Sequence, residues 1–250
     1  MVLLLVSVSK NVLSAGKSDF LISLTNVEYQ AMPSITRCVY VVLTFLLLVG
    51  CKVDSEYEVY VTDLVLVVDQ NEVLTAPGIV RIETTGCEEN KAKIMNIVSK
   101  YYVIKNDPRC INIGMDDFLE FDTQSPVVLV GENLPGNIPT GLAVSKDETT
   151  NVINLFAVLE KGRFAGMEAE VEKMDATASL DINDVTIILN NDSHKNAHVV
   201  TPSAWINNKA SIKGEAKISR REKAKIKLSN VFSEVLVDQG IAHAAAIQMD

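Results

Sequence analysis

An uncharged run of eleven residues, Val39–Val49, constrains this chain more than any other feature of its sequence. A helix that crosses the hydrocarbon core of a bilayer needs about 20 apolar residues, so this run is too short to be a membrane span. Arg37 precedes the run, and Gly50 and Cys51 follow it directly. A cation, a short apolar stretch and small residues at a cleavage point are typical of a secretory signal. The sequence therefore predicts that the rest of the chain is exported.

The end of this segment, Leu48-Val49-Gly50-Cys51, resembles the lipobox of bacterial lipoproteins. In that family a diacylglyceryl group is attached to the cysteine thiol, a signal peptidase cuts before the cysteine, and the new amino group is acylated. The resemblance implies cleavage between Gly50 and Cys51 and lipidation of Cys51. The two or three acyl chains attached there would make a stable membrane anchor. In enteric bacteria the next residue directs sorting. Lys52 there implies the periplasmic face of the outer membrane, or the cell membrane if sorting differs.

A complete signal begins at Met32, which is followed by the cation, the apolar run and the lipobox. We therefore predict that translation starts at Met32 and that residues 32–50 form the signal peptide. Residues 1–31 are then a mis-assigned N-terminal extension. Residues 51–56 would be a short tether, and residues 57–250 a periplasmic domain.

The charge of the chain is acidic. It carries 23 basic and 32 acidic residues, of which residues 1–50 hold 3 and 2, so the expected mature chain has 20 and 30. Because nucleic acids attract basic surfaces, this balance argues against a nucleic-acid partner. The 200 residues that remain are enough for one domain with a substantial core.

The cysteines divide by their expected fates. Cys38 lies in the signal and Cys51 is the expected lipidation site, which leaves Cys87 and Cys110 in the folded domain. In an oxidising periplasm two thiols most simply form a disulfide. A redox pair would need the closer CxxC spacing, and a zinc site would need further ligands that no nearby histidine supplies. We predict a structural disulfide.

Hydrophobic patterning predicts a strand-rich domain. Residues 56–74 are rich in Val, Tyr and Leu and favour strand, whereas apolar residues recur at helical spacing over residues 88–102. Residues 151–174 are typical of a strand hairpin whose second half could be helical, and residues 215–237 alternate as a β-hairpin does. We expect an α+β fold of mostly antiparallel sheet with one main helix, at about residues 88–102.

Two groups of polar residues are candidates for chemistry. One is a polar loop with the residues Asp192, His194 and His198, where a spacing of four does not direct side chains to one metal, so we expect a solvated loop. The other is an acidic group that could supply oxygen ligands or a carboxylate pair, namely Asp116, Asp117, Glu120 and Asp122. The central glycine of a calcium loop is missing there, which favours exposed charges.

Known catalytic motifs are not found in the sequence. It contains no GxSxG elbow, phosphate-binding glycine loop or HExxH pair. Trp205, the single tryptophan, is expected to belong to the core. We expect no catalytic residue, no metal and no cofactor.

A basic segment stands out in the acidic chain. The segment from Lys209 to Lys227 contains eight basic residues and only two acidic ones, Glu215 and Glu222. The candidate patch consists of Lys217, Arg220, Arg221, Lys223, Lys225 and Lys227. Such a run can be a solvated strand face that protects a sheet edge, or a surface that binds an anionic lipid or an acidic protein.

The order of lipobox, SEYEVYVTDL, Cys87 and Cys110 also resembles uncharacterised lipoproteins of enteric bacteria and their prophages. That resemblance implies a phage-encoded role, such as modifying the host envelope or hindering superinfection. We expect a membrane-anchored lipoprotein whose non-catalytic periplasmic domain binds an envelope protein or an anionic lipid. The alternatives are a carrier of lipid or another hydrophobic ligand, which needs a strand-lined cavity, and an envelope hydrolase, which needs converging polar groups in a pocket.

Overall fold

The computed structural model describes residues 51–174 and 179–250, apart from the side chain of Ser203. The expected extension and signal peptide, including Gly50, lie outside the described residues. The strands in the described part are β1 (Cys51–Tyr60), β2 (Leu74–Glu83), β3 (Arg109–Ile113), β4 (Asp116–Leu129), β5 (Thr140–Asp147), β6 (Val152–Leu159), β7 (Leu180–Asn190), β8 (Ala197–Ile206), β9 (Lys209–Ile218), β10 (Lys223–Leu228) and β11 (Ile241–Met249). The helices there are α1 (Val61–Gln70), α2 (Cys87–Val98), α3 (Lys161–Met174) and α4 (Asn230–Gln239).

Helix α1 forms where local composition favours a strand. Its buried residues, Val61, Leu64 and Val67, are spaced three apart and so lie along one face of a helix. Valine-rich sequence favours strand only weakly, and packing of this face against the core overrides the preference. The helix ends at Asn71, whose left-handed φ of 56° is a common helix stop.

No helix in the described ranges is long and apolar enough to cross a membrane.

The expectation of an α+β fold with one main helix and mostly antiparallel sheet is wrong. The protein is mostly β-sheet, and its described part has four helices. The predicted helix over residues 88–102 is α2, which ends at Val98, and α3 is the helical alternative for the second half of residues 151–174. The predicted hairpin over residues 215–237 is wrong, because β9 pairs with β8, β10 pairs with β7 and β8, and the segment ends in α4. The sheet is mixed, because β1 runs parallel to β7 and the end of β4 runs parallel to β5. The parallel pairing of β1 with β7 joins strands about 130 residues apart in sequence, so local patterns do not reveal it.

The eleven-stranded sheet closes on itself. Its order is β10-β7-β1-β2-β4-β5-β6-β11-β8-β9, with β3 paired to β4 outside this path. Since β9 covers one edge of β8, both β11 and β10 pair with the other edge, near Val199 and Ala204 respectively. The hydrogen-bonded path from β10 through β11 to β8 therefore returns to β10, which makes a ring of strands. One cluster of buried side chains fills the core, including Leu64, Phe121 and Ile187.

The residues expected to form a tether belong to this sheet. Residues 51–56 are the start of β1, where Val53 and Ser55 are buried. The backbone N–H of Cys51 donates to the carbonyl of Ser179 at 2.6 Å. Strand β1 is paired with β2 on one side and β7 on the other, and these hydrogen bonds hold the segment in place. Residues 51–56 are therefore part of the folded domain.

Candidate functional site

The cations of the predicted patch lie around the turn that joins β9 to β10. Three of them form ion pairs, which are Lys217 with Asp250 at 3.2 Å, Lys225 with Glu56 at 3.3 Å, and Lys227 with Asp184 at 2.6 Å. Surface pairs of this kind contribute only about 0–1 kcal/mol to stability. They nevertheless neutralise half of the candidate patch.

The other three cations, Arg220, Arg221 and Lys223, have no carboxylate partner in the described part of the chain. Arg221 has a left-handed φ of 67°, a conformation that costs a residue with a side chain about 1 kcal/mol. Its N–H donates to the carbonyl of the fully buried Asn191 at 2.7 Å, and this contact holds the turn in place. The fold thus maintains a strained turn that carries an exposed, unpaired guanidinium.

A pocket of about 670 Å³ opens beside this turn, and we refer to it as the cationic pocket. Its lining includes the cations Lys217, Arg221 and Lys223 and the amides Asn190 and Asn207. Two of the three unpaired cations of the patch therefore face the same concave surface.

One carboxylate also lines the cationic pocket. An oxygen of Glu222 accepts a hydrogen bond from the N–H of Ser219 at 2.8 Å, so this group is engaged with the turn. The side-chain oxygen of Asn207 accepts from the N–H of Lys225 at 2.9 Å, which leaves its NH₂ group able to donate. Two unpaired cations, Arg221 and Lys223, and the amide donor of Asn207 suit a carboxylate or phosphate group.

The cationic pocket is formed by the curl of the β8–β9 hairpin. Asn207 lies at the tip of this hairpin and Ile218 at its base, yet both line the pocket. The tip residues Asn207 and Asn208 have left-handed φ values of 47° and 66°, which suits a tight two-residue hairpin turn. Gly214 of β9 pairs with Thr201 of β8, and a Cβ on Gly214 would lie 2.6 Å from Oγ1 of Thr201. A glycine at this position permits the close approach.

A second pocket, of about 280 Å³, lies against the same hairpin, and we refer to it as the apolar pocket. It is lined by Trp205, which is 46% exposed, and by Ile212, which is 90% exposed. The expectation that Trp205 belongs to the core is wrong, because this end of β8 turns Ala204 and Ile206 inward instead. Trp205 is two residues from Asn207, a rise of about 7 Å along a strand, so the two pockets are neighbours.

The acidic candidates do not converge on one site. The carboxylate of Glu120 is buried between Arg81 and Arg109, each with an Nε atom at 2.6 Å. Burial alone would raise the pKa of Glu120, but the hydrogen bonds from Arg109 and Arg81 lower this pKa below its usual value. The other acidic residues make separate hydrogen bonds, Asp116 with Lys52, Asp117 with Asn112 and Asp122 with Asn106.

The candidate residues of the histidine-containing loop do not come together either. His194 lies before β8 and His198 within it, while the carboxylate of Asp192 accepts a hydrogen bond from the N–H of Thr62 at 3.1 Å. Burial raises the pKa of the neighbouring Asp63, and the charge of Asp192 adds to the effect. Within residues 51–174 and 179–250 no group of three or more metal-ligating side chains comes together.

The predicted cysteine pair lies in a different part of the fold. Cys87 begins α2 and Cys110 lies in β3, and their sulfur atoms are 1.93 Å apart in a disulfide. The bond joins the start of α2 to β3 through two cysteines that are 23 residues apart in sequence.

Cys51 and the cationic pocket lie at opposite ends of one strand. Cys51 pairs with Leu180, whereas Tyr60 at the other end of β1 pairs with Asn190, which pairs in turn with Lys223. Nine residues of strand rise about 30 Å, so this length separates the expected lipidation site from the pocket.

Sequence reasoning did not assign three residues to the two pockets that they line, namely Asn190, Asn207 and Trp205. The consecutive asparagines at 207 and 208 were the available signal, because such pairs favour tight hairpin turns. Recognising that turn would have placed Trp205 near a hairpin tip rather than in the core.

Comparison with known proteins gives one match. No curated protein and no solved structure matches the chain. The model of a family described as Domain of unknown function (DUF7424) matches residues 53–250, and so begins two residues after Cys51. The chain therefore belongs to the DUF7424 family.

Proposed function

We propose that the chain is an envelope lipoprotein, acylated at Cys51, whose domain binds an acidic partner through the cationic pocket without catalysis. The unpaired cations that face this pocket, Arg221 and Lys223, carry the proposal. The lipobox supports the anchor at the outer membrane, and the resemblance to prophage lipoproteins supports a phage-encoded role.

Unpaired cations are unexpected in a chain that carries an excess of carboxylates. The formal net charge of the chain is −9, so acidic groups are plentiful, yet Arg220 and Arg221 in the turn between β9 and β10 form no ion pair within the described residues. Protection of a strand edge explains lysines along a strand, but Arg220 and Arg221 lie in a turn. Strain of the kind seen at Arg221 clusters at functional sites. Binding of an anion accounts for both observations.

The position of the cationic pocket favours an acidic protein over an anionic lipid of the anchoring leaflet. Acyl chains at Cys51 would hold the near end of β1 at the bilayer, which leaves the pocket about 30 Å away. The neighbouring apolar pocket adds Trp205 and Ile212, and protein interfaces are enriched in exposed tryptophan beside arginine. An acidic segment with one bulky apolar side chain would contact both pockets.

The two alternatives from the sequence have less support. A carrier of a hydrophobic ligand needs a strand-lined cavity, whereas large core side chains such as Phe121 and Ile187 belong to one packed cluster. A hydrolase needs an acid or base in its pocket, and the carboxylate that lines the cationic pocket, Glu222, is engaged with the N–H of Ser219.

Binding of a fluorescent hexaglutamate peptide to the detergent-purified, full-length protein tests the proposal. We expect saturable binding in fluorescence anisotropy that weakens as salt is added, because the attraction is between exposed charges. The double variant Arg221→Glu, Lys223→Glu should weaken the affinity at least about tenfold, which corresponds to about 1.4 kcal/mol.

The double variant Lys91→Glu, Lys93→Glu is the matched control, because it changes the net charge equally on α2. It should bind the peptide almost as well as the wild-type protein. Equal losses in both double variants would reduce the effect to net charge and contradict a specific pocket, as would a wild-type protein that does not bind.

A further inference from the structure

The turn between β3 and β4 presents an apolar tip to solvent. Ile113 pairs with Asp116, so Gly114 and Met115 form a two-residue hairpin loop, with φ of 67° at the glycine. The side chain of Met115 is 100% exposed and that of Ile113 is 46% exposed. We refer to residues 113–116 as the Met115 turn. A fully exposed methionine at a hairpin tip buries nothing within its own domain.

This turn lies beside the expected lipidation site. The ammonium of Lys52, the residue after Cys51, is 2.8 Å from Asp116 and 3.2 Å from Glu83. The Lys52 side chain therefore links the Met115 turn to the start of β1 across the intervening strand β2. The turn lies at the end of β1 opposite the cationic pocket.

An anchor at Cys51 would have no flexible linker. The N–H of Cys51 is bonded to the carbonyl of Ser179, and β1 is paired from its first residue. The acyl chains would thus emerge from the rigid end of a sheet, and the turns that project from the same end of the sheet would lie close to the bilayer surface.

We propose that the Met115 turn inserts Met115 and Ile113 into the interfacial region of the same leaflet that holds the acyl chains of Cys51. This inference rests on the proposed acylation. Removal of both side chains from water adds to the free energy of anchoring, as apolar residues do in other surface-bound segments. Two contact points at the bilayer restrict the tilt of the domain and direct the cationic pocket away from the membrane.

The charges around the Met115 turn determine which lipid headgroup it accepts. Asp116, Asp117 and Glu83 lie at this end, and Lys52 neutralises only part of their charge. Phosphatidylcholine and phosphatidylethanolamine carry an ammonium group that these carboxylates can face, whereas anionic lipids are repelled. The surface therefore fits a zwitterionic leaflet.

Fluorescence quenching in vesicles tests the inference with the full-length protein, purified from a Gram-negative host and reconstituted in phosphatidylcholine. The variant Trp205→Phe removes the native tryptophan, and Met115→Trp adds a probe at the turn. The control, Val73→Trp, places the probe at a half-exposed site at the opposite end of β1. Ile113→Trp provides a second probe of the turn.

We expect nitroxide-labelled phosphatidylcholine to remove most of the emission of Met115→Trp and Ile113→Trp and little of that of Val73→Trp. Vesicles enriched in phosphatidylglycerol should reduce this quenching. Labelling of the same preparation with radioactive palmitate separates the two claims. Palmitate incorporation with unquenched probes at the turn overturns the insertion alone, whereas absence of palmitate overturns the proposed acylation and the insertion with it.

Discussion

Replacement of Gly214 by alanine tests whether the contact between β9 and β8 at this position leaves no room for a side chain. The new Cβ would lie 2.6 Å from Oγ1 of Thr201 and 3.1 Å from Cδ1 of Ile206, both closer than side-chain carbons normally approach. Thr201 is fully buried and β-branched, so it cannot move aside freely. Overpacking by one methyl group in such a place costs typically about 1–3 kcal/mol. We expect Gly214→Ala to lose about 2 kcal/mol, or roughly 4–8 °C in Tm.

Thermal unfolding followed by circular dichroism measures the loss, and Gly162→Ala is the control. A Cβ at Gly162, in the first turn of α3, would meet no atom within 4 Å, so that variant should be as stable as the wild-type protein or slightly more stable. In a Thr201→Ala background the loss from Gly214→Ala should shrink, because the closest atom is gone. If Gly214→Ala unfolds at the same temperature as Gly162→Ala, the proposed role of the close approach is refuted.

Two further predictions concern stability. The double variant Cys87→Ala, Cys110→Ala should lose about 3 kcal/mol in urea unfolding, because the disulfide closes a loop between residues 23 apart in sequence; an unchanged midpoint would show that the bond does not constrain the unfolded chain. Glu120→Gln should lose about 2 kcal/mol at pH 7, since it removes the charge that Arg81 and Arg109 share. The pKa of Glu120 is lower in the folded protein than in the unfolded chain, where it is near 4.5. The contribution of the ionised carboxylate to folding stability is therefore complete above pH 4.5 and is lost as the pH falls through the lower folded pKa. The variant should therefore show a flatter decline of stability below pH 4.5, and an identical decline in both proteins would contradict the role of this carboxylate.

Local sequence patterns predicted those parts of the structure that depend on neighbouring residues. Strand β10 shows the expected alternation, with Ala224, Ile226 and Leu228 buried between exposed or half-buried lysines. Helix α2 lies within the segment that helical spacing indicated, and the cysteines at 87 and 110 are joined. Each of these features is determined within about 25 residues.

Features that depend on distant residues were not predicted. Residues 61–70 favour strand by composition, and become helix because Leu64 and Val67 meet a core contributed by other strands. The parallel pairing of β1 with β7 joins residues about 130 apart, as Val59 pairs with Leu189. The cationic pocket brings together Asn190 of β7, Asn207 at the β8–β9 turn and Arg221 at the β9–β10 turn, and no periodic pattern within one segment reveals that meeting.

Intact-mass and peptide mass spectrometry of the protein purified from native membranes tests the proposed anchoring most directly. We predict an N-terminal peptide that begins at Cys51 and carries a diacylglyceryl group with a further acyl chain on its amino group. A chain that retains residues before Cys51, or a Cys51 that carries no lipid, would contradict the proposed anchor.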